Sequence, residues 1–236
     1  MAELHFFYGT MNCGKSTLAL QIHHNAVSAG KHCLLFTRHD RAGGAISSRI
    51  GLSQPAVVVD DGFDLRAYVA GRVANGDPVD VLICDEGQFY RPEQVDQLAA
   101  LVDDLDIDVQ AFGLLTDFTS ALFPGTKRFL ELADRRSELQ VEARCWCGER
   151  GTLNARTIDG VIQRTGDQVV VGDVEDGEVA YEVLCRRHHR DGTTRSAADR
   201  QPDGSGVATT AGGASAEAFL HEGDHAPGQD PLDLTR

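Results

Sequence analysis

Residues Gly9, Thr10, Met11, Asn12, Cys13, Gly14, Lys15 and Ser16 fit the pattern G-x-x-x-x-G-K-[ST] at each fixed position. Such a loop wraps a polyphosphate with successive backbone N–H groups, and its glycines allow the close approach. Lys15 then reaches the β- and γ-phosphates as a point charge, and the Ser16 hydroxyl suits Mg²⁺. A helix starting there adds its partial positive charge. The chemistry needs a second part, an acid at the end of a neighbouring apolar strand. Val81, Leu82, Ile83 and Cys84 run into Asp85 and Glu86, which supply it. With Asp85 on the metal side, Glu86 is placed to take a proton from an attacking hydroxyl or water. The pair of motifs reads as an NTP hydrolase or phosphotransferase. No Asn-Lys-x-Asp segment occurs, which argues against a guanine-reading GTPase.

A second constellation has the look of a metal site. Cys145-Trp146-Cys147 and Cys185-Arg186-Arg187-His188 form two short pairs about 38 residues apart. Three thiolates and an imidazole suit tetrahedral structural Zn²⁺ with no open position for catalysis. The first pair is one residue tighter than the common C-x₂-C, and His189 stands as an alternative to His188. Cys33 and Cys84 lie inside apolar runs and read as small core residues. Zinc here would tie the ends of residues 148–184 at their base, leaving the excursion free to lie over a site and open. Within it, residues 168–173 offer edge backbone groups and Tyr181 an amphipathic ring, suited to reading a base.

The elements that must position these groups follow from periodicity. Residues 3–8 read as a buried strand running into Gly9, and residues 16–29 as a helix with apolar Leu18, Ile22 and Ala26. Further strands are expected at 31–38, 56–60, 79–84 and 107–113, and helices at 65–74 and 92–105, the latter opened by proline. Strands alternating with helices imply right-handed crossovers and a parallel sheet covered on both faces. Between residues 144 and 189 the helical period vanishes and short β-like runs appear at 168–171 and 179–184. Three parts are expected: an ATP-binding α/β domain over 1–143, a zinc-binding domain over 144–190, and a disordered acidic tail over 191–236.

Composition bounds the partners. The 236 residues carry 22 basic and 36 acidic side chains, a net charge of −14. That balance argues against non-specific binding of nucleic acid or of an anionic membrane. The chain has no apolar run approaching the ~20 residues of a membrane span and no basic, apolar leader, so a cytoplasmic protein is expected.

Taken in order, GTMNCGKST, SSRIGL, CDEGQFY, FGLLTDF, LFPG, ADRRSEL and the two metal pairs resemble the thymidine kinases of the cytosolic, zinc-containing type, over about residues 3–190. The resemblance implies a P-loop, RecA-like parallel sheet with helices on both faces, plus a small zinc-held β lasso. It also implies a homotetramer that transfers the ATP γ-phosphoryl group to the 5′-hydroxyl of thymidine, yielding dTMP for DNA synthesis. Carried over by motif position, Glu86 is the general base and Gln88 lines the ATP and thymidine site. Phe118 packs on the thymine ring, the main chain of Val169, Val170, Val171, Gly172 and Asp173 binds the base, and Tyr181 lies beside it. Arg156, nine residues after Cys147, faces the phosphates. The rival expectation is a non-catalytic or regulatory ATP-binding module. From the residues alone, only the second carboxylate, Glu86, argues for chemistry.

Overall fold

In a computed structural model of the chain, described for residues 1–38, 44–139, 141–168 and 179–200, strands and helices alternate as the hydropathy pattern predicts. Strand β1 (Leu4–Gly9) enters the phosphate loop, and helix α1 (Lys15–Ser28) leaves it. Then come β2 (Cys33–Thr37), the antiparallel pair β3 (Ala45–Ser47) and β4 (Ser53–Pro55), β5 (Val57–Val58) and α2 (Leu65–Ala74). Strand β6 (Val81–Cys84) passes through a short 3₁₀ turn, Gly87–Phe89, to α3 (Pro92–Leu105) and β7 (Asp108–Leu114). Helix α4 (Pro124–Leu132) and strand β8 (Arg135–Glu138) complete this part.

Six of these strands form one parallel sheet in the order β5-β2-β6-β7-β1-β8. Because successive side chains leave a strand on opposite faces, each central strand feeds two cores. On β6, Leu82 and Cys84 join Phe6, Leu98 and Phe129 under α2, α3 and α4, while Val81 and Ile83 join Ala19, Leu20 and Phe112 under α1. Helices on both faces and β7 inserted between the strand of the phosphate loop and the strand of the carboxylates give the RecA-like arrangement. Burial pushes the Cys84 thiol up to about 12, so it stays protonated as an inert core group.

Local chemistry explains the boundaries. Asp64 caps α2 by accepting from the Ala67 N–H at 2.8 Å, and Pro92 occupies the first turn of α3, where a missing N–H costs nothing. Gly125 is required by space: a Cβ there would lie 2.5 Å from the Tyr90 carbonyl oxygen and 2.6 Å from that of Gly87. Both neighbours are backbone and cannot swing aside. Gly125→Ala should therefore cost about 1–3 kcal/mol, as overpacking generally does. Thermal melting checks this, and an unchanged Tm would show that the turn shifts freely.

The second part is a small antiparallel sheet, order β10-β9-β11, made of β9 (Leu153–Ile158), β10 (Val161–Ile162) and β11 (Val179–Leu184). Ala155, Ile162 and Leu184 pack with Cys145 into its core. Helix α5 (Arg186–Asp191) follows β11, and the expected boundary of the tail at 191 is overrun by α6 (Arg195–Arg200). The reason is polar rather than apolar. Thr194 is fully buried with its hydroxyl donating to Gly160 O at 2.7 Å, Trp146 Nε1 donates to Thr193 O, and Arg195 N donates to Glu182. A chain ending at 190 should thus melt several degrees below one ending at 200, whereas equal Tm values would show that residues 191–200 contribute nothing. Residues 201–236 lie outside the described residues. No helix among the described residues is long and apolar enough to cross a membrane.

Candidate active site

The carboxyl ends of β1 and β6 bring the two motifs together. In the phosphate loop, Asn12 and Gly14 adopt left-handed backbone (φ 64° and 83°), which turns the chain tightly into α1. Gly9 is packed so closely that a Cβ would lie 2.5 Å from Cys13 Sγ. Lys15 Nζ donates to the Thr10 carbonyl at 2.7 Å, spanning the loop. Ser16 Oγ donates to Asp85 Oδ2 at 2.7 Å, and Asp85 Oδ1 accepts the Glu86 N–H at 2.9 Å. This hydroxyl–carboxylate pair is the oxygen donor set that Mg²⁺ takes beside a polyphosphate.

Glu86 sits at φ 55°, a conformation that β-carbon sterics disfavour and that recurs where a side chain must be aimed. Its direction is fixed from outside. Gln88 Oε1 accepts the Leu114 N–H at 2.9 Å, so the other side of that amide, Nε2, faces Glu86 Oε2 at 2.5 Å. Gln88 is 1% exposed, which locks this orientation. It also lines a cavity of about 350 Å³ together with Arg38, Phe89, Tyr90, Phe123 and Gln168. Phe89 and Phe123 meet edge to face at 5.6 Å and give this cavity an aromatic corner.

Phe118, expected on the base, is buried, and Arg156 lies over its ring with the guanidinium carbon 3.7 Å from the centroid. Arg156 was expected toward the phosphates. It donates instead to the carbonyls of Asp167 and Thr165, within its own lobe. Neither side chain is among those lining the cavity. Tyr181 pairs with Arg156 across β11 and β9 and is about one-third exposed. Val169, Val170, Val171, Gly172 and Asp173 fall outside the described residues. Gln168, immediately before them, donates Nε2 to Asp117 Oδ2 at 2.7 Å. Burial raises the Asp117 carboxyl, but hydrogen bonds from Thr119, Gln168 and the Ala121 N–H outweigh it and hold the group below its ordinary value.

Sequence reasoning missed Arg38, Phe89, Phe123 and Asn154. The two phenylalanines lie inside motifs already noted, CDEGQFY and LFPG, and for Phe89 an aromatic following a site carboxylate was the available signal. Asn154 had none. It is 4% exposed on β9, accepts the Met11 N–H of the phosphate loop at 2.9 Å and donates to Thr116 O at 3.2 Å.

The metal constellation closes as its spacing predicts. One ligand atom from each of Cys145, Cys147, Cys185 and His188 falls within 4.8 Å of every other. His188 Nδ1 lies 3.4 Å from Cys145 Sγ and 3.6 Å from Cys185 Sγ, near the roughly 3.5–3.8 Å edges that Zn–S bonds of 2.3 Å and Zn–N bonds of 2.0 Å require of a tetrahedron. Gly148 at φ 88° turns the first pair back, its N–H donating to Cys145 O. His189 faces the other way, with Nε2 3.0 Å from Phe118 O, so His188 is the histidine of the cluster. The short Cys-x-Cys spacing is thus accommodated by the turn at Gly148.

The sheet order, the phosphate loop and the acid pair on the far side of β7 define a P-loop nucleotide-binding protein of the α/β, RecA-like class. A family model described as "Thymidine kinase" matches residues 2–189. The thymidine kinase of Streptomyces coelicolor is 58% identical over 209 residues, covering 86% of this chain and 97% of the relative. That of Streptomyces avermitilis is 59% identical over 201 residues (84% and 93%), and that of Ruegeria pomeroyi 43% over 197 (82% and 96%). The chain belongs to the thymidine kinase family.

Proposed function

We propose that the protein transfers the γ-phosphoryl group of ATP to the 5′-hydroxyl of thymidine. The observation that carries this reading is the run Ser16–Asp85–Glu86–Gln88, which joins the phosphate loop at one end to the aromatic-lined cavity at the other. Backbone amides of residues 9–16 and Lys15 hold the donor's phosphates, with Ser16 and Asp85 as the residues that would hold Mg²⁺. That ion supplies charge neutralisation across the β- and γ-phosphates when bound. Glu86, aimed by Gln88, orients the acceptor hydroxyl and takes its proton as transfer proceeds. Phe89 and Phe123 pack on the flat base and keep water from the reacting oxygen. Phe118, Tyr181, Arg156 and the main chain of residues 169–173 belong to the acceptor side. Structural Zn²⁺, a cytoplasmic location and a homotetrameric state go with this reading.

The test is ADP formation from ATP and Mg²⁺ with and without nucleosides. Turnover that requires thymidine supports the kinase. Turnover indifferent to thymidine would make the protein an ATPase, and none at all a binding module.

A further inference from the structure

Thr126 carries a buried hydroxyl that the mechanism above does not use. It lies in the first turn of α4, is fully buried, and its Oγ1 donates to the Leu114 carbonyl at 2.6 Å. A threonine inside a helix commonly spends its hydroxyl on a carbonyl of the preceding turn. Thr126 has no helical turn before it and spends the hydroxyl on the end of β7 instead.

That strand end has a particular place in the sheet. The last pair between β6 and β7 is Cys84 with Ala111, so Leu114 lies past the end of β6. On its other side β7 still runs beside β1. Leu114 pairs there with Gly9, the first residue of the phosphate loop, and the Leu115 N–H donates to Gly9 O at 3.3 Å. Successive strand residues offer their N–H and C=O to opposite neighbours, so Leu114 turns both of its polar groups to the side where β6 has ended. Two side chains stand in for the missing strand: Gln88 Oε1 accepts the N–H at 2.9 Å, and Thr126 Oγ1 holds the C=O. Gln88 in turn donates to Glu86. Thr126, Leu114, Gln88 and Glu86 thus form one hydrogen-bonded line that is tied, at Leu114, to the start of the phosphate loop. Glycines beside its members let it close up. A Cβ on Gly113 would lie 3.0 Å from Gln88 N, and one on Gly125 2.9 Å from Gln88 O.

Resting on the kinase reading of Glu86, we propose that Thr126 is a positioning residue for phosphoryl transfer. By fixing the Leu114 carbonyl it sets the Gln88 amide, and through that amide the place of the Glu86 carboxylate relative to the phosphate loop. Such aim matters because a misplacement of about 1 Å can cost roughly 10²-fold in rate.

The experiment compares the full-length parent with Thr126→Val, Thr126→Ser and Thr126→Ala by steady-state kinetics, and repeats Thr126→Val in a Glu86→Gln background. Thr126→Val keeps the volume and removes the donor. It should lower kcat by roughly 10- to 10²-fold with the KM values for ATP and thymidine within about threefold of the parent. Thr126→Ser keeps the donor and loses a methyl, so its kcat should stay within about threefold of the parent even where its Tm falls. Thr126→Ala removes the donor without crowding and takes the place of Thr126→Val should the latter not fold. With Glu86→Gln already present, the loss from Thr126→Val should shrink to less than about threefold, because both changes act on one group. A kcat for the donorless variant within about threefold of the parent would overturn the proposal. So would a Thr126→Ser as slow as Thr126→Val, which would make the role one of packing, or an undiminished loss in the Glu86→Gln background, which would place the effect elsewhere. A parent that does not phosphorylate thymidine, or one in which Glu86→Gln costs nothing, would overturn the reading of Glu86 first and this proposal with it.

Discussion

Glu86→Gln is expected to lower kcat by roughly 10²–10⁴-fold, the usual contribution of a positioned general base, with ATP affinity nearly unchanged. The substitution keeps the shape of the side chain and removes its capacity to accept a proton. The structure sharpens the expectation. Because the Leu114 N–H fixes the Gln88 amide with Nε2 toward position 86, a glutamine there must offer its oxygen to Gln88, which turns its own NH₂ toward the acceptor. A donor then replaces an acceptor where the hydroxyl proton must go. Steady-state kinetics with thymidine varied at saturating ATP, alongside direct ATP binding, decides the matter. Turnover within about threefold of the parent would remove Glu86 from the base role.

The second large effect concerns metal. The purified protein should hold one zinc per chain, and Cys185→Ser should lose it. Structural zinc contributes about 10–16 kcal/mol in small peptides because binding and folding are one event. The lobe's own apolar core is small, a handful of residues around Ala155 and Leu184, so it has little else to rely on. A loss of several kcal/mol corresponds to a Tm decrease on the order of 10 °C for a domain of this size. The KM for thymidine should rise more than that for ATP, since the main-chain base contacts expected in residues 169–173 belong to the lobe and the phosphate loop does not. Elemental analysis and melting curves give the readout, and less than about half an equivalent of zinc in the parent would refute the assignment.

How much of this was legible in the chain depends on which force placed each element. Helices α2 and α3 were readable to the residue because Asp64 and Pro92 mark their starts and an apolar face runs along each. Strand β8 was not. It lies at the sheet edge with the sequence RRSE, and its pairing with β1 comes from backbone hydrogen bonds that leave no apolar signature. Strand β9 was missed for a related reason: Asn154, Arg156 and Thr157 are buried on it, each satisfied by hydrogen bonds that no linear pattern announces. The site divides the same way. The groups that grip phosphate and metal are local in sequence, so spacing alone assembled them. The cavity proposed for the acceptor draws on the end of β2, the turn after β6, the segment before α4 and the second lobe, and only the fold brings these together.

Asn154 sits where those two kinds of information meet. One side-chain amide holds the Met11 N–H of the phosphate loop and the Thr116 carbonyl, while its backbone belongs to the strand that pairs with β11. The phosphate loop and the second sheet therefore share a mechanical joint. Coupling free energies are reciprocal, so any tightening of ATP that a bound nucleoside brings through this joint is matched by an equal tightening of the nucleoside when ATP is already bound. That reciprocity holds by whatever route two sites are coupled; Asn154 is a physical joint through which it can pass between the phosphate loop and β9.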